Sequence, residues 1–172
     1  ALISEPAVLN AATPPLSEVD PVLQHQSGFA LGLSCSALPL LQRLQKTGYV
    51  KQIALTVKAA EAIQTPPADL IRGSGAALLQ QHWRGTVIVI GALGAVTRLI
   101  APLIAGKSTD PAVLVLDAEA RVVVPLLGGH QARAEALAYE LAAVLGAIAV
   151  ITGDCVSQKR LPLDAFGRDW GW

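Results

Sequence analysis

Gly128, Gly129 and His130 follow one another directly after the apolar run Val122 to Leu127. Two adjacent backbone amides and an imidazole at a strand end suit acyl chemistry, because amides stabilise a developing oxyanion and imidazole moves a proton or activates water. A helix N-terminus next to that position would disfavour imidazolium and keep the ring neutral. A second glycine pair, Gly91 and Gly94, follows the β-branched run Thr86 to Ile90, and Arg98 lies one turn further on. Its planar guanidinium is shaped to clamp a substrate carboxylate. Thr109 and Asp110, close to Lys107, precede a third apolar run.

Each of these residues also has a plain structural use. The glycines let helices approach strands, His130 can be a structural histidine, and Arg98 can form a surface ion pair. Asp110 can anchor a loop and Thr109 can cap backbone groups. Gly91-x-x-Gly94 lacks the Gly-x-Gly-x-x-Gly spacing and no Gly-Lys-Ser/Thr occurs, which disfavours NAD and ATP. His25, His82 and His130 stand apart, and Cys35 and Cys155 form no Cys-x-x-Cys pair, so neither a metal site nor a disulfide framework is expected. His82, beside Trp83, is expected to be structural.

The elements that must position these residues are those of a single α/β domain with tails. The chain has 172 residues, 52% hydrophobic and only 15% charged, and 13 basic side chains balance 13 acidic ones. No global field favours nucleic acid or an anionic membrane, and aromatic residues at 4% are too few for a base-stacking platform. The apolar run Phe29 to Leu41 is too short to span a bilayer, contains Gly32 and Pro39, and has no basic region before it. A cytoplasmic location follows as the expectation. The chain contains no Met, which suggests a processed start or a piece excised from a longer polypeptide.

Four prolines in residues 1–27 read as a leader or linker. The domain is expected over 28–153, and 154–172 as the start of a middle region or linker. Phe29 to Leu33 reads as a strand, Ser34 to Ser36 as a cap-rich turn, and Pro39 as the first turn of a helix that stops at Gly48. Tyr49 to Leu55 is a second strand; Thr56 to Arg72 supports at most a short helix and a loop. A helix from Gly75 to Trp83 leads into Thr86 to Ile90, the expected central strand. Gly91 and Gly94 make the turn into a helix striped by Val96, Ile100, Leu103 and Ile104 and ending near Gly106.

Val113 to Leu116 and Val122 to Leu127 are too close in sequence for a parallel crossover and form a hairpin. Leu137, Leu141, Val144 and Leu145 stripe the last helix, and Ala147 to Ile151 supply a final strand. The expected fold is three-layer α/β/α with a mostly parallel, mixed central sheet, flavodoxin-like. Ligands of such sheets bind beyond strand ends, so the Gly91 and Gly128 loops share an edge if their strands run the same way.

Three stretches carry a family resemblance: Gly91 to Leu103, Lys107 to Asp117, and Leu126 to His130. In this order and spacing they resemble the amino-terminal domain of CbiG, the cobalamin biosynthesis protein, over roughly Phe29 to Trp172 and most strongly from Ile90 to Thr152. The resemblance implies cobalt-precorrin-5A hydrolase chemistry, in which water opens a ring δ-lactone and the extruded carbon leaves with its methyl group as acetaldehyde. Cobalt then arrives with the substrate, and no resident cofactor is implied. The partners implied are the remaining CbiG domains, or a fused precorrin-3B C17-methyltransferase.

The chain also departs from the family pattern. Where the family usually has Gly-Gly-Ala-Asn/Asp shortly after the histidine, this chain has Gln131-Ala132-Arg133-Ala134-Glu135, and the family's Thr-Thr-Ala-Thr-Asp is reduced to Thr152-Gly153-Asp154. A noncatalytic module that binds corrin intermediates or mediates assembly is the alternative this raises. Strand-end glycines also occur in unrelated flavodoxin-like cofactor binders.

Overall fold

A computed structural model of the chain describes residues 28–128 and 132–152. Residues 1–27 and 153–172, read above as leader and middle region, lie outside the described residues, as do Gly129, His130 and Gln131. The elements are β1 (Phe29–Gly32), α1 (Leu38–Lys46), β2 (Gln52–Thr56), α2 (Val57–Glu61), β3 (Ile71–Gly73) and α3 (Gly75–Gln81). They continue with β4 (Thr86–Ile90), α4 (Leu93–Ile100), β5 (Ala112–Leu116), β6 (Val122–Leu127), α5 (Ala134–Leu145) and β7 (Ile148–Ala149).

One seven-stranded sheet runs in the order β3-β2-β1-β4-β5-β6-β7. Strands β1 to β5 are parallel, β6 runs against β5, and β7 runs parallel to β6. The mostly parallel, mixed sheet and its central Thr86–Ile90 strand are as the sequence predicts, and all five residues of β4 are buried. Alternation sorts side chains between two layers. Ile88, Ile90, Leu114 and Leu116 face α1, α2 and α5, whereas Val87, Val89, Val113 and Val115 face α3 and α4. Each fully buried Ile, Leu or Val in these layers contributes about 1.5–3 kcal/mol relative to exposure.

Local chemistry explains the boundaries. Pro39 sits in the first turn of α1, and Gly48 reverses the chain after it at φ +82. Ser74 caps α3 by accepting a hydrogen bond from the Ala77 amide at 3.2 Å. Gly146 ends α5 at φ +71, and Arg43 from α1 donates to the Val144 carbonyl at 3.0 Å, placing a cation at the helix C-terminus.

Three expectations are corrected. The segment after Val57 contains a short helix as expected, but its loop returns as the edge strand β3, whose three residues, an exposed Arg72 between two half-buried neighbours, are too few to show a strand pattern. The helix expected to reach Gly106 stops at Ile100 and tightens into a 3₁₀ turn over Ala101–Leu103. Pro102 has no N–H to continue the α-helical ladder and its ring crowds the carbonyl four residues back, so Ile104 ends 47% exposed instead of buried. Finally, Gly94 lies inside the first turn of α4 and not in the loop before it.

Candidate functional site

The strand order reverses between β1 and β4: from β1 the chain builds outward through β2 and β3, then returns to lay β4 and β5 on the other side. Loops at the carboxyl ends of these two strands flank the crevice where doubly wound sheets bind ligands. The Leu33 amide donates to Ile90 O at 3.0 Å, and the Gly91 amide donates to Leu116 O at 3.0 Å, so the two loops are locked to neighbouring strands. Gly91 packs closely here: a Cβ would come 2.8 Å from Leu33 Cδ1, so the Leu33 side chain would have to shift to admit one.

The exposed turn Ser34-Cys35-Ser36 borders the same crevice, with Ser34 Oγ and Ser36 Oγ hydrogen-bonded at 2.7 Å. Sequence reasoning read this triplet only as a turn. Its signal was three small polar side chains directly after the first strand, a position that becomes meaningful once β1 is known to sit at the reversal.

Helix α4 starts at this edge with Ala92 as its cap residue, which has no side chain to accept from the first-turn amides. Arg98 is exposed, and its Nη1 donates to the Gly94 carbonyl at 3.2 Å. No ion pair joins it to a carboxylate among the described residues. The guanidinium lies over Gly94, whose absent side chain leaves it 3.6 Å from where a Cβ would stand. Arg98 thus presents an exposed guanidinium near the carboxyl edge, held along α4 by its hydrogen bond to Gly94.

Gly128 lies at the other end of the sheet. Because β6 runs against β5, it leaves the sheet beside the start of β5, where a Cβ on Gly128 would come 2.9 Å from Pro111 O and 3.1 Å from Ala112 Cα. The condition that would have put the Gly91 and Gly128 loops on one edge is not met. The hairpin itself reverses the direction of β6. Five residues of β5, about 16 Å at 3.3 Å per residue, separate the edges.

Thr109 and Asp110 share the amino edge with Gly128. The buried Asp110 carboxylate accepts the Ala105 amide at 3.0 Å and the Gly106 amide at 3.1 Å, and Thr109 Oγ1 donates to Gly106 O at 3.2 Å. Both side chains hold the loop before β5, the plain structural use. Lys107 is exposed in that loop.

Gly128 has φ +79, and its carbonyl accepts the amides of Ala132 and Ala134, each at 3.1 Å. Helix α5 begins at Ala134 with Arg133 as its cap at φ +59, later than the Gly-Gly-His sequence suggested. Gly129 and His130, the other members of this group, lie outside the described residues.

Asp117 and His82 serve the fold. Asp117 closes the β5–β6 hairpin, accepting the Arg121 and Val122 amides at 2.7 and 3.1 Å and the Arg121 Nε at 2.6 Å. Desolvation is the largest single effect and raises its pKa, but these hydrogen bonds and the Arg121 charge together outweigh it and hold the carboxyl below its ordinary value. His82 stacks on Phe29 with ring centroids 4.0 Å apart, and burial, then the Arg84 charge, lower its pKa. Among the described residues no group of three His, Cys, Asp or Glu side chains could hold a metal ion.

Fold and edges together define a doubly wound α/β domain with candidate ligand loops at both ends of its sheet. Within that class, residues 77–155 match the family described as Cobalamin synthesis G N-terminal, and this stretch contains all three motifs that carry the CbiG resemblance. Over 94 residues the chain is 45% identical to a cobalt-precorrin-5A hydrolase of Priestia megaterium, a match covering 55% of this chain and 25% of that protein. Over 66 residues it is 48% identical to a cobalt-precorrin-5A hydrolase of Salmonella typhimurium, covering 38% of this chain and 19% of that protein. The chain thus matches a quarter or less of these curated relatives' length. A crystal structure of a cobalamin biosynthesis protein G homolog from Sulfolobus solfataricus aligns with TM-score 0.56 and 22% identity, covering 76% of this chain and 39% of that one, and shows the shared fold.

Proposed function

We propose that this chain supplies the amino-terminal module of a cobalamin-pathway protein that opens the δ-lactone of cobalt-precorrin-5A. The 45% identity to a cobalt-precorrin-5A hydrolase carries this reading. Water adds to the lactone carbonyl and the acyl–oxygen bond breaks, leaving a carboxylate and a hydroxyl on the extruded carbon. That hydroxyl then loses its proton, the carbon–carbon bond to the macrocycle breaks with its electron pair and a proton going to the macrocycle, and the carbon leaves with its methyl group as acetaldehyde. His130 activates the water or moves the proton, and the Gly128 and Gly129 amides stabilise the oxyanion.

At the opposite edge of the sheet Arg98, with Gly91 and Gly94, binds a carboxylate away from the Gly128–His130 group. Thr109 and Asp110 contribute by shaping the loop next to Gly128. Cobalt belongs to the substrate, and the module needs no cofactor of its own. Its partners are the other domains of the longer protein or a fused precorrin-3B C17-methyltransferase, in the cytoplasm; no described helix is long and apolar enough to cross a membrane.

The test is incubation of cobalt-precorrin-5A with this chain and with a longer protein that contains it, following acetaldehyde. His130→Ala is expected to lower turnover about 100-fold or more, the usual contribution of a general base. Unchanged turnover removes His130 from the chemistry. Arg98→Ala is expected to weaken substrate binding with less effect on kcat.

A second reading, a noncatalytic corrin-binding module, is favoured by the replacement of the family's glycine pair in Gln131 to Glu135. Tetrapyrrole binding without acetaldehyde release by the longer protein would establish it.

A further inference from the structure

The two faces of the sheet are covered unevenly. Helices α3 and α4 set Leu78, Leu79, Val96 and Ile100 against one face of β1, β4 and β5. Helix α5 covers β6 and β7 from the opposite face, where Val123 and Ala149 sit side by side in register. Alternation then turns Val122, Val124, Ile148 and Val150 toward the α3/α4 side.

Val122 pairs with Ile148, and the Val150 amide donates to Val123 O at 2.9 Å, so these four side chains form one patch. Val115, opposite Val124 on β5, is 3% exposed, whereas Ile148 is 68% and Val150 39% exposed. None of the four packs into either core cluster of the described residues. Sheets of this architecture carry a layer on both faces.

The chain itself supplies a matching segment. Residues 161–172 read Leu-Pro-Leu-Asp-Ala-Phe-Gly-Arg-Asp-Trp-Gly-Trp and hold two of the three tryptophans and one of the two phenylalanines. Residues 153–172 carry three acidic and three basic side chains, so apolar contact and not net charge would drive docking. The tether starts at Thr152, just past Val150. Residues 153–160 can span up to about 25 Å when extended, and adjacent strands are only about 4.8 Å apart. Such a short tether holds the segment at an effective concentration of about millimolar.

We infer that residues 161–172 dock on the face formed by Val122, Val124, Ile148 and Val150 and complete the second layer over β6 and β7. The inference is independent of the catalytic proposal.

It is tested in the 172-residue chain carrying Trp83→Phe, so that Trp170 and Trp172 are the sole tryptophans and are excited selectively over the two tyrosines. The expected result is blue-shifted emission with acrylamide quenching several-fold weaker than for free tryptophan, unchanged on dilution. Ile148→Asp with Val150→Asp should return both signals to solvent values while the circular dichroism is retained. Should that pair fail to fold, replacing Phe166, Trp170 and Trp172 by Ser in the otherwise intact chain should raise binding of anilinonaphthalene sulfonate several-fold. Solvent-like emission in the parent, shielding that survives the paired aspartates, or no rise in dye binding overturns the proposal. Shielding lost on dilution, as a dimer sediments into monomers, would overturn it too and assign the face to a second copy.

Discussion

Leu33 lies against Gly91 so closely that a Cβ at position 91 would stand 2.8 Å from its Cδ1 and 3.2 Å from its Cβ. This contact ties the loop after β1 to the loop after β4 at the reversal of strand order. Gly91→Ala is therefore expected to cost about 1–3 kcal/mol, the usual range for overpacking. Leu33→Ala in the same chain should recover part of that loss, giving a coupling energy in a double-mutant cycle of urea midpoints. Simple additivity would show that the contact is not the cause.

Gly128 and Gly48 both have positive φ, +79 and +82, but differ in their surroundings. A Cβ on Gly48 meets nothing within 4 Å, whereas one on Gly128 meets Ala132 Cβ at 2.7 Å and the Pro111 carbonyl at 2.9 Å. Gly48→Ala should cost about 1–2 kcal/mol, the conformational penalty alone. Gly128→Ala adds a clash with backbone that cannot rotate away, for a total of about 2–5 kcal/mol. Equal losses in thermal or urea unfolding would refute the distinction.

Asp110 satisfies two amides from within the folded loop. Asp110→Ala should destabilise the domain by about 2–3 kcal/mol because buried donors lose their acceptor, and Asp110→Asn should fall between. If substrate affinity of the folded Asn variant fell far more than its stability, Asp110 would be a ligand and not a loop anchor.

Acid should act in two separate windows. His82 has a folded pKa below its ordinary 6.5, so the unfolded chain binds the proton more readily and stability is lost as pH falls below 6.5. Asp117 also has a lowered folded pKa, and its contribution, present above the ordinary 3.8, is lost as pH falls through the folded value. Arg121 is 73% exposed, so solvent screens the Asp117–Arg121 pair and the loss in this window is small. Urea midpoints should show His82→Phe flattening the first window and Asp117→Asn the second; a variant that leaves its window unchanged disproves its assignment.

The parts of the fold legible in the sequence were those where burial on both faces or strict spacing left one solution. Thr86–Ile90 had to be an interior strand, and the few residues between Leu116 and Val122 forced a hairpin. Strand β3 was illegible because an edge strand of three residues has no pattern to show. Pro102 ended α4, and the apolar stripe that continued past it concealed this. The site suffered from a consequence of the hairpin: if β5 and β6 are antiparallel, Gly128 cannot share an edge with Gly91. Ser34 to Ser36 became interesting only through the position of β1, which no local spacing reveals.

The placement of β1 also governs the order of assembly. Phe29–Gly32 leaves the ribosome before the other described strands, yet one of its two partners is Val87 to Ile90. Hairpin β5–β6 closes a short loop and is cheap to form, while pairing β1 with β4 closes a loop of more than fifty residues. During synthesis β1 must therefore wait with one side of its backbone unpaired until β4 emerges.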